Sequence, residues 1–513
     1  MAGRDHALLL GSRVGSVATA PVAPGSAWLG SRPRPLLLGT ACAVVALAAG
    51  VLAPAHLKYA VALVALAVLV GVVLLRPIVG AFFLVGLAPI TSGMATGFPV
   101  AHVRVSEAVI GVVGVTLLAS VRRRDAVAWR PLDWLLLAYA CGWALFGAVD
   151  DVGLGQHLGL TQWGTVVGQF QFFLIYRGVR VAVRSRAERR VAVGVLLLSS
   201  ASVSVLAVLQ KVSAPGVRSL LLRITGGTTA GTGLSAVGHG FRTTGPFANW
   251  AALAGYLLPV LLVLLALALA GSSARRRRWF VAAGVLGAVA LALTDEQSAI
   301  VCLAIGAVVL VRQYGRSREL WRWAPAVLLV AAVLAGPSIV HRIAQEVSPA
   351  AGTGRVSWVP QTLSFRWSVW THQYLPAVGA RPLSGYGVVL PSSIHWPFPE
   401  SQYMAFLVDG GLPMLALFGG LAWAMLRGTS AAARSGDPFE QALGRALVVA
   451  VTSMLVMDLI WPFLSNGGMP QVLWALMALA VPRRMAAGTK GRLAAQPWPT
   501  IGEPVRARRV LGP

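Results

Sequence analysis

Three short stretches of this chain hold residues whose types and spacing can do chemistry. The first is Gly240-Phe241-Arg242-Thr243-Thr244-Gly245-Pro246-Phe247-Ala248-Asn249-Trp250, which opens directly into the apolar run Phe247–Ala270. It sets a cation, a Gly-Pro turn and an amide at the mouth of a helix. Free backbone N–H groups there, with a guanidinium beside them, suit a phosphate. The second is Arg366-x-x-x-Trp370, followed by Pro382-Leu383-Ser384-Gly385-Tyr386-Gly387. If Phe365–Leu375 is helical, Arg366 and Trp370 share one face, and aromatic faces beside arginines can stack on sugar rings and flank a pyrophosphate. The third runs from Pro399 to Leu412, with Glu400 at the rim of an apolar run and Asp409 about two helical turns deeper. Acids inside a membrane are costly and often functional.

Each stretch also has a plainer reading. The first can be a capped helix start with an incidental arginine. The second can be an interfacial aromatic helix at headgroup level. In the third, Glu400 can simply pair with a loop arginine.

The elements that must position these residues are membrane spans. The chain is 57% hydrophobic and 12% charged, with a mean hydropathy of +0.73, whereas a soluble domain is about a quarter charged and under half apolar. Its apolar residues come in solid runs near the ~20 residues needed to cross a hydrocarbon core, not in the alternation of a β-barrel. The reading is an all-α, polytopic helical membrane protein of about 10 to 14 transmembrane helices, with a large extracytoplasmic loop between late spans. Candidate spans are Leu36–Ala53, Lys58–Leu75, Ile78–Ile90, Val105–Val121, Leu132–Val149, Leu160–Tyr176, Val191–Gln210, Phe247–Ala270, Trp279–Leu293, Ser298–Val311, Ala324–Val340, Tyr403–Leu426, Leu443–Phe463 and Met469–Val481.

The net charge of +26 is written as topology. Arginines cluster between apolar runs, at Arg122–Arg124, Arg184–Arg190, Arg275–Arg278, Arg312–Arg322 and Arg483-Arg484. With both termini cytoplasmic, every cluster falls inside, as the positive-inside rule requires; nucleic acid is excluded as a partner, and anionic lipid fits. The organisation is a basic cytoplasmic tail over 1–35, a transmembrane domain over 36–482 with outside loops 211–246 and 341–402, and a basic, disordered cytoplasmic tail over 483–513. Cytoplasmic loops are short and no GxxxxGK[ST] loop occurs, so no nucleotide domain is expected. Cys42, Cys141 and Cys302 sit in apolar runs with no CxxC or Cys/His cluster, so neither disulfides nor a metal site is expected.

In this order and topology, the three patterns resemble the O-antigen ligase / O-antigen polymerase superfamily of bacterial membrane glycan-transfer proteins. The resemblance runs roughly from Arg242 to Leu426. It rests on Arg242, Gly245, Phe247 and Asn249 before a span, on Arg366 and Trp370 ahead of a Pro-Leu-x-Gly-x-Gly turn, and on Tyr403, Asp409, Gly411 and Leu412. Two positions depart from the family pattern. The turn Thr294-Asp295-Glu296-Gln297-Ser298 lacks the arginine that relatives carry there, and Glu400 occupies the family's histidine position.

What the resemblance implies is transfer of a glycan from a polyprenyl-diphosphate carrier to an acceptor glycan or lipid at the outer face of the cytoplasmic membrane, with neither cofactor nor metal. On that basis Arg242 and Arg366 stabilise the departing diphosphate, and Glu400 takes the acceptor's proton. His395 and His372 are alternatives for that base. Arg355 and Arg381 assist, and Asn249, Trp370 and Tyr403 bind substrate. Rival classes are a transporter or flippase of lipid-linked oligosaccharide and a non-catalytic partner of envelope-assembly proteins.

Overall fold

The structure is a computed structural model. It describes residues 60–93 without 62, 105–120, 127–155, 159–225, 242–271, 273–315, 361–481 without 466, and the single positions 336 and 340. The expected spans Leu36–Ala53 and Ala324–Val340 (save its two single positions), residues 226–241 of the first outside loop, residues 341–360 of the second, Arg355 included, and both tails lie outside the described residues. The chain divides into two compact units, Met1–Val68 and Leu69–Pro513, and the helices named here belong to the second.

In chain order they are α1 (Pro77–Gly86), α2 (Ala88–Gly93), α3 (Val105–Ser120), α4 (Pro131–Gly153), α5 (Leu160–Gly168), α6 (Phe170–Ala182), α7 (Arg186–Lys211), α8 (Val217–Thr225), α9 (Trp250–Leu269), α10 (Ala274–Ala292), α11 (Gln297–Gln313), α12 (Gln361–Val369), α13 (Leu375–Ala380), α14 (Gln402–Ala433), α15 (Pro438–Met457) and α16 (Met469–Ala480). No strand occurs among the described residues. Windows in α4, α7, α9, α14 and α15 are long and apolar enough to cross a membrane, and shorter apolar helices accompany them. The protein is a multi-pass, all-α membrane protein.

Local chemistry sets the helix ends. Ser185 and Glu188 form a reciprocal capping box at the start of α7, satisfying N–H groups that a helix start leaves free. Pro438 occupies the first turn of α15 behind the Asp437 cap, where its missing N–H costs nothing. The central helix is α9, apolar all round and buried almost throughout, as expected of a helix with neighbours on every side. It packs against α10, α11, α15 and α16, while α14 lies against α4 and α15.

Three expected spans outside the candidate site are interrupted. Ile78–Ile90 is two short helices meeting at Leu87, with Pro89 in the first turn of the second. Leu160–Tyr176 is two helices meeting at Gln169, and the second carries on to Ala182. Its arginines are buried: Arg177 and Arg180 both engage Asp133 of α4, at 3.2 and 2.6 Å, which keeps charge inside a helical bundle by pairing it. Leu443–Phe463 is helical only to Met457. Beyond it the Asp458 side chain accepts the Phe463 N–H at 3.1 Å and folds the chain back.

Candidate functional site

Arg242 sits in a segment whose backbone is fixed from three directions. Thr243 N–H donates to Leu293 O at 3.0 Å, and Ala248 N–H to Gly93 O at 2.6 Å. The buried Gln210 carboxamide oxygen of α7 accepts from Thr244 and Gly245 N–H at 3.1 and 2.8 Å. Gly245 has φ +53, a conformation that glycine adopts without strain. The helix begins at Trp250, and Asn249 is its cap, its Oδ1 accepting from Ala252 N–H at 2.7 Å. The capped-start reading is therefore correct, but the arginine is not incidental. Its guanidinium lies 4.6 Å from the Trp250 ring centroid, and its Nε is 3.5 Å from Asp295 Oδ2.

Asp295 belongs to the turn between α10 and α11. The Thr294 hydroxyl donates to Leu291 O at 2.7 Å and accepts from Glu296 N–H at 3.2 Å. Asp295 adopts φ +54, a region that Asp tolerates better than most residues. Glu296 accepts from the Ser298 hydroxyl at 2.7 Å. Burial raises the Glu296 carboxyl above its usual range, opposed by Ser298 and by both Arg242 and Arg366. Asp295 is likewise raised by burial against Arg242 and Lys211, and burial lowers the Arg242 guanidinium against these two carboxylates. The turn thus ties the two arginines into one electrostatic site.

Arg366 projects from α12, its Nε donating to Glu400 Oε2 at 3.2 Å. The other carboxylate oxygen accepts from Trp396 Nε1 at 3.2 Å. Glu400 is buried and adopts φ +54, a strain of about 1–3 kcal/mol that surrounding contacts must hold in place. Those contacts are specific. After α12 the helix widens into a single π turn, Trp370–Tyr374, a form common at functional sites. Trp370 Nε1 donates to Pro399 O at 2.8 Å, Gln373 accepts from His395 and Trp396 N–H at 2.9 and 3.0 Å, and Tyr374 OH donates to Trp396 O at 2.8 Å. On the far side, Gln402 N–H and the Ser401 hydroxyl donate to Asp458 O at 2.8 and 3.2 Å.

The two guanidiniums are held alike. Each has its inner Nε on a carboxylate, Arg366 in a hydrogen bond and Arg242 in a 3.5 Å ion pair, and among the described residues no bond engages the outer Nη edge of either. That two-nitrogen edge is the one that recognises phosphate oxygens bidentately.

The third stretch is a broken helix. Within α14, Gly410 and Gly411 leave helical geometry, Gly411 at φ 63 and ψ −162. The Pro382–Gly387 turn docks into the break: Tyr386 and Gly387 N–H donate to Val408 and Asp409 O at 2.7 and 2.9 Å, and Leu412 N–H to Pro382 O at 2.8 Å. Asp409 lies at this break beside Trp143, Phe146 and Met414. A Cβ on Gly385 would meet Val408 O at 2.5 Å, and one on Gly411 would meet Pro382 O at the same distance.

Of the other expected residues, Arg381 braces that turn, donating to Gly385 O at 3.2 Å and lying over the Tyr386 ring. Tyr403 gives its hydroxyl to Leu455 O at 2.8 Å. His372 Nδ1 is 2.8 Å from Ser368 O, and His395 is exposed. Sequence reasoning missed Glu296, Gln373, Tyr374 and Asp458 as members of the site. Asp458 carried a signal, an acid within an apolar run, and Glu296 lay in the turn already singled out in the sequence.

Residues 282–419 match the family model for O-antigen ligase. The match begins inside α10 and ends inside α14, taking in the acidic turn, Arg366, Glu400 and the broken helix but not Arg242. It supports membership of the O-antigen ligase/polymerase superfamily and glycan transfer of that general type. No curated protein matches the chain.

Proposed function

We propose that this superfamily member transfers a glycan from a polyprenyl-diphosphate carrier to a sugar hydroxyl at the outer face of a bacterial cytoplasmic membrane, as a surface-polysaccharide polymerase or ligase. The observation that carries the reading is the pair of Nε-anchored guanidiniums around one carboxylate-bearing turn, with Glu400 on one of them. The diphosphate binds the outer edges of Arg242 and Arg366. The acceptor hydroxyl attacks the anomeric carbon, and the bond from that carbon to the diphosphate oxygen breaks, its electron pair leaving with the diphosphate. Both guanidiniums meet the growing charge without reorganising. Glu400 takes the hydroxyl proton; its hydrogen bond from Arg366 supports that role. No step calls on a nucleotide or metal.

A transporter would use the break in α14 as its site, as interrupted helices do at the midplane. Here loop N–H groups already occupy the Val408 and Asp409 carbonyls, which favours the transferase.

The test is purified protein in detergent with a polyprenyl-diphosphate-linked oligosaccharide, a sugar acceptor and EDTA. Release of free polyprenyl diphosphate is expected. Intact passage of the lipid-linked glycan across vesicle membranes, with no release, would overturn the reading in favour of transport.

The acidic turn adds a pH signature. Asp295 and Glu296 take up protons above the ordinary carboxylate range, so lowering the pH through that raised range leaves Arg242 less opposed. A diphosphate diester stays dianionic there. Its affinity, measured with a short-prenyl diphosphosugar, is expected to rise as pH falls through that range, and to respond less steeply in Glu296→Gln, where Asp295 still titrates.

A further inference from the structure

We propose that Trp396 is the stacking face of the acceptor subsite and takes a hydroxyl-rich sugar ring; this rests on the glycan-transfer reading above. Trp396 is 37% exposed, yet it is among the most firmly held residues of the loop. Gln373 fixes its backbone N–H, Tyr374 its carbonyl, and Glu400 accepts its indole N–H at 3.2 Å. Phe365 and Phe398 meet it at steep angles, with centroids 5.1 and 5.7 Å away, and are themselves exposed. A tryptophan that anchors a protein in a membrane interface keeps its N–H for headgroups and water. Here the N–H is committed to a carboxylate, and the ring is preorganised to receive a ligand at low entropic cost.

The partner that fits has apolar C–H faces for the ring and hydroxyls for a carboxylate at the ring's edge, which describes a pyranose. Its position joins binding to chemistry. A sugar stacked on this indole brings its hydroxyls towards the carboxylate that the indole itself orients. Trp370 and Tyr403, by contrast, give their polar atoms to backbone carbonyls.

The probe is an oligosaccharide cut from the organism's own surface polysaccharide. Trp396→Ala is expected to raise the acceptor KM about tenfold while leaving the donor KM unchanged, and to lower kcat because it also loses the N–H to Glu400. Trp396→Phe keeps a ring but loses the N–H to Glu400, so it is expected to keep KM within about threefold and lower kcat. Saturation transfer from protein to sugar protons, which requires no turnover, should be strong in wild type and lost in Trp396→Ala that still elutes as a monodisperse species. An unchanged acceptor KM and undiminished saturation transfer in Trp396→Ala would overturn the proposal, as would donor and acceptor KM rising together. Saturation reaching only lipid or detergent chains would overturn it in favour of a membrane anchor. If wild type releases no polyprenyl diphosphate, the transfer reading falls on its own, and saturation transfer still decides the subsite.

Discussion

Replacing Arg366 with alanine is expected to lower polyprenyl-diphosphate release about a thousandfold, the scale seen when a preorganised donor to developing charge is removed. In the proposed reaction the residue serves two partners: its Nε holds Glu400, and its outer edge takes the diphosphate. Arg366→Lys keeps a charge but cannot grip a carboxylate through one edge and a diphosphate through another, so it should recover only a small part of the loss. Removing the cation also leaves a buried carboxylate without its partner, a destabilisation of about 3–5 kcal/mol in a fully buried case and less here, where the guanidinium is partly exposed. The double variant Arg366→Ala/Glu400→Gln should regain stability in a thermal melt without regaining turnover. A single variant that stays folded and retains near-normal release would end the assignment of Arg366.

The second large effect is structural. Gly411→Ala is expected to destabilise the protein by about 3 kcal/mol or more, because its φ and ψ lie in a region reserved for glycine and its Cβ would strike Pro382 O. Melting of the detergent-purified protein should shift down by roughly 5–10 °C. Gly379→Ala, where an added Cβ meets nothing within 4 Å, is the matched control and should melt like wild type. Equal melting of the two variants would mean that the docked turn contributes nothing to the fold.

The class of fold was legible because hydropathy and arginine placement are properties of local runs. The pairing of Arg366 with Trp370 on one helical face was legible for the same reason, and both reach the same dipeptide, Pro399-Glu400. What was not legible depends on the third dimension. The widening of the helix at Trp370, which aims Gln373 and Tyr374 at the chain around Trp396, has no mark in residue spacing. The turn at Asp295 is far from both arginines in sequence, and only folding brings it to them. Asp458 reads as part of a span because flanking leucines and aromatics mask the point where the helix stops. The plain reading of Glu400, a glutamate paired with a loop arginine, is geometrically correct. That same pairing supports a catalytic role.

The Pro382–Gly387 turn has one more consequence. Three backbone hydrogen bonds sew it into α14. A lid made from it would have to break all three at once and bare the carbonyls of a broken helix. In the proposed reaction this turn is therefore expected to stay docked while carrier and product exchange, so cross-linking it to α14 should leave turnover unchanged.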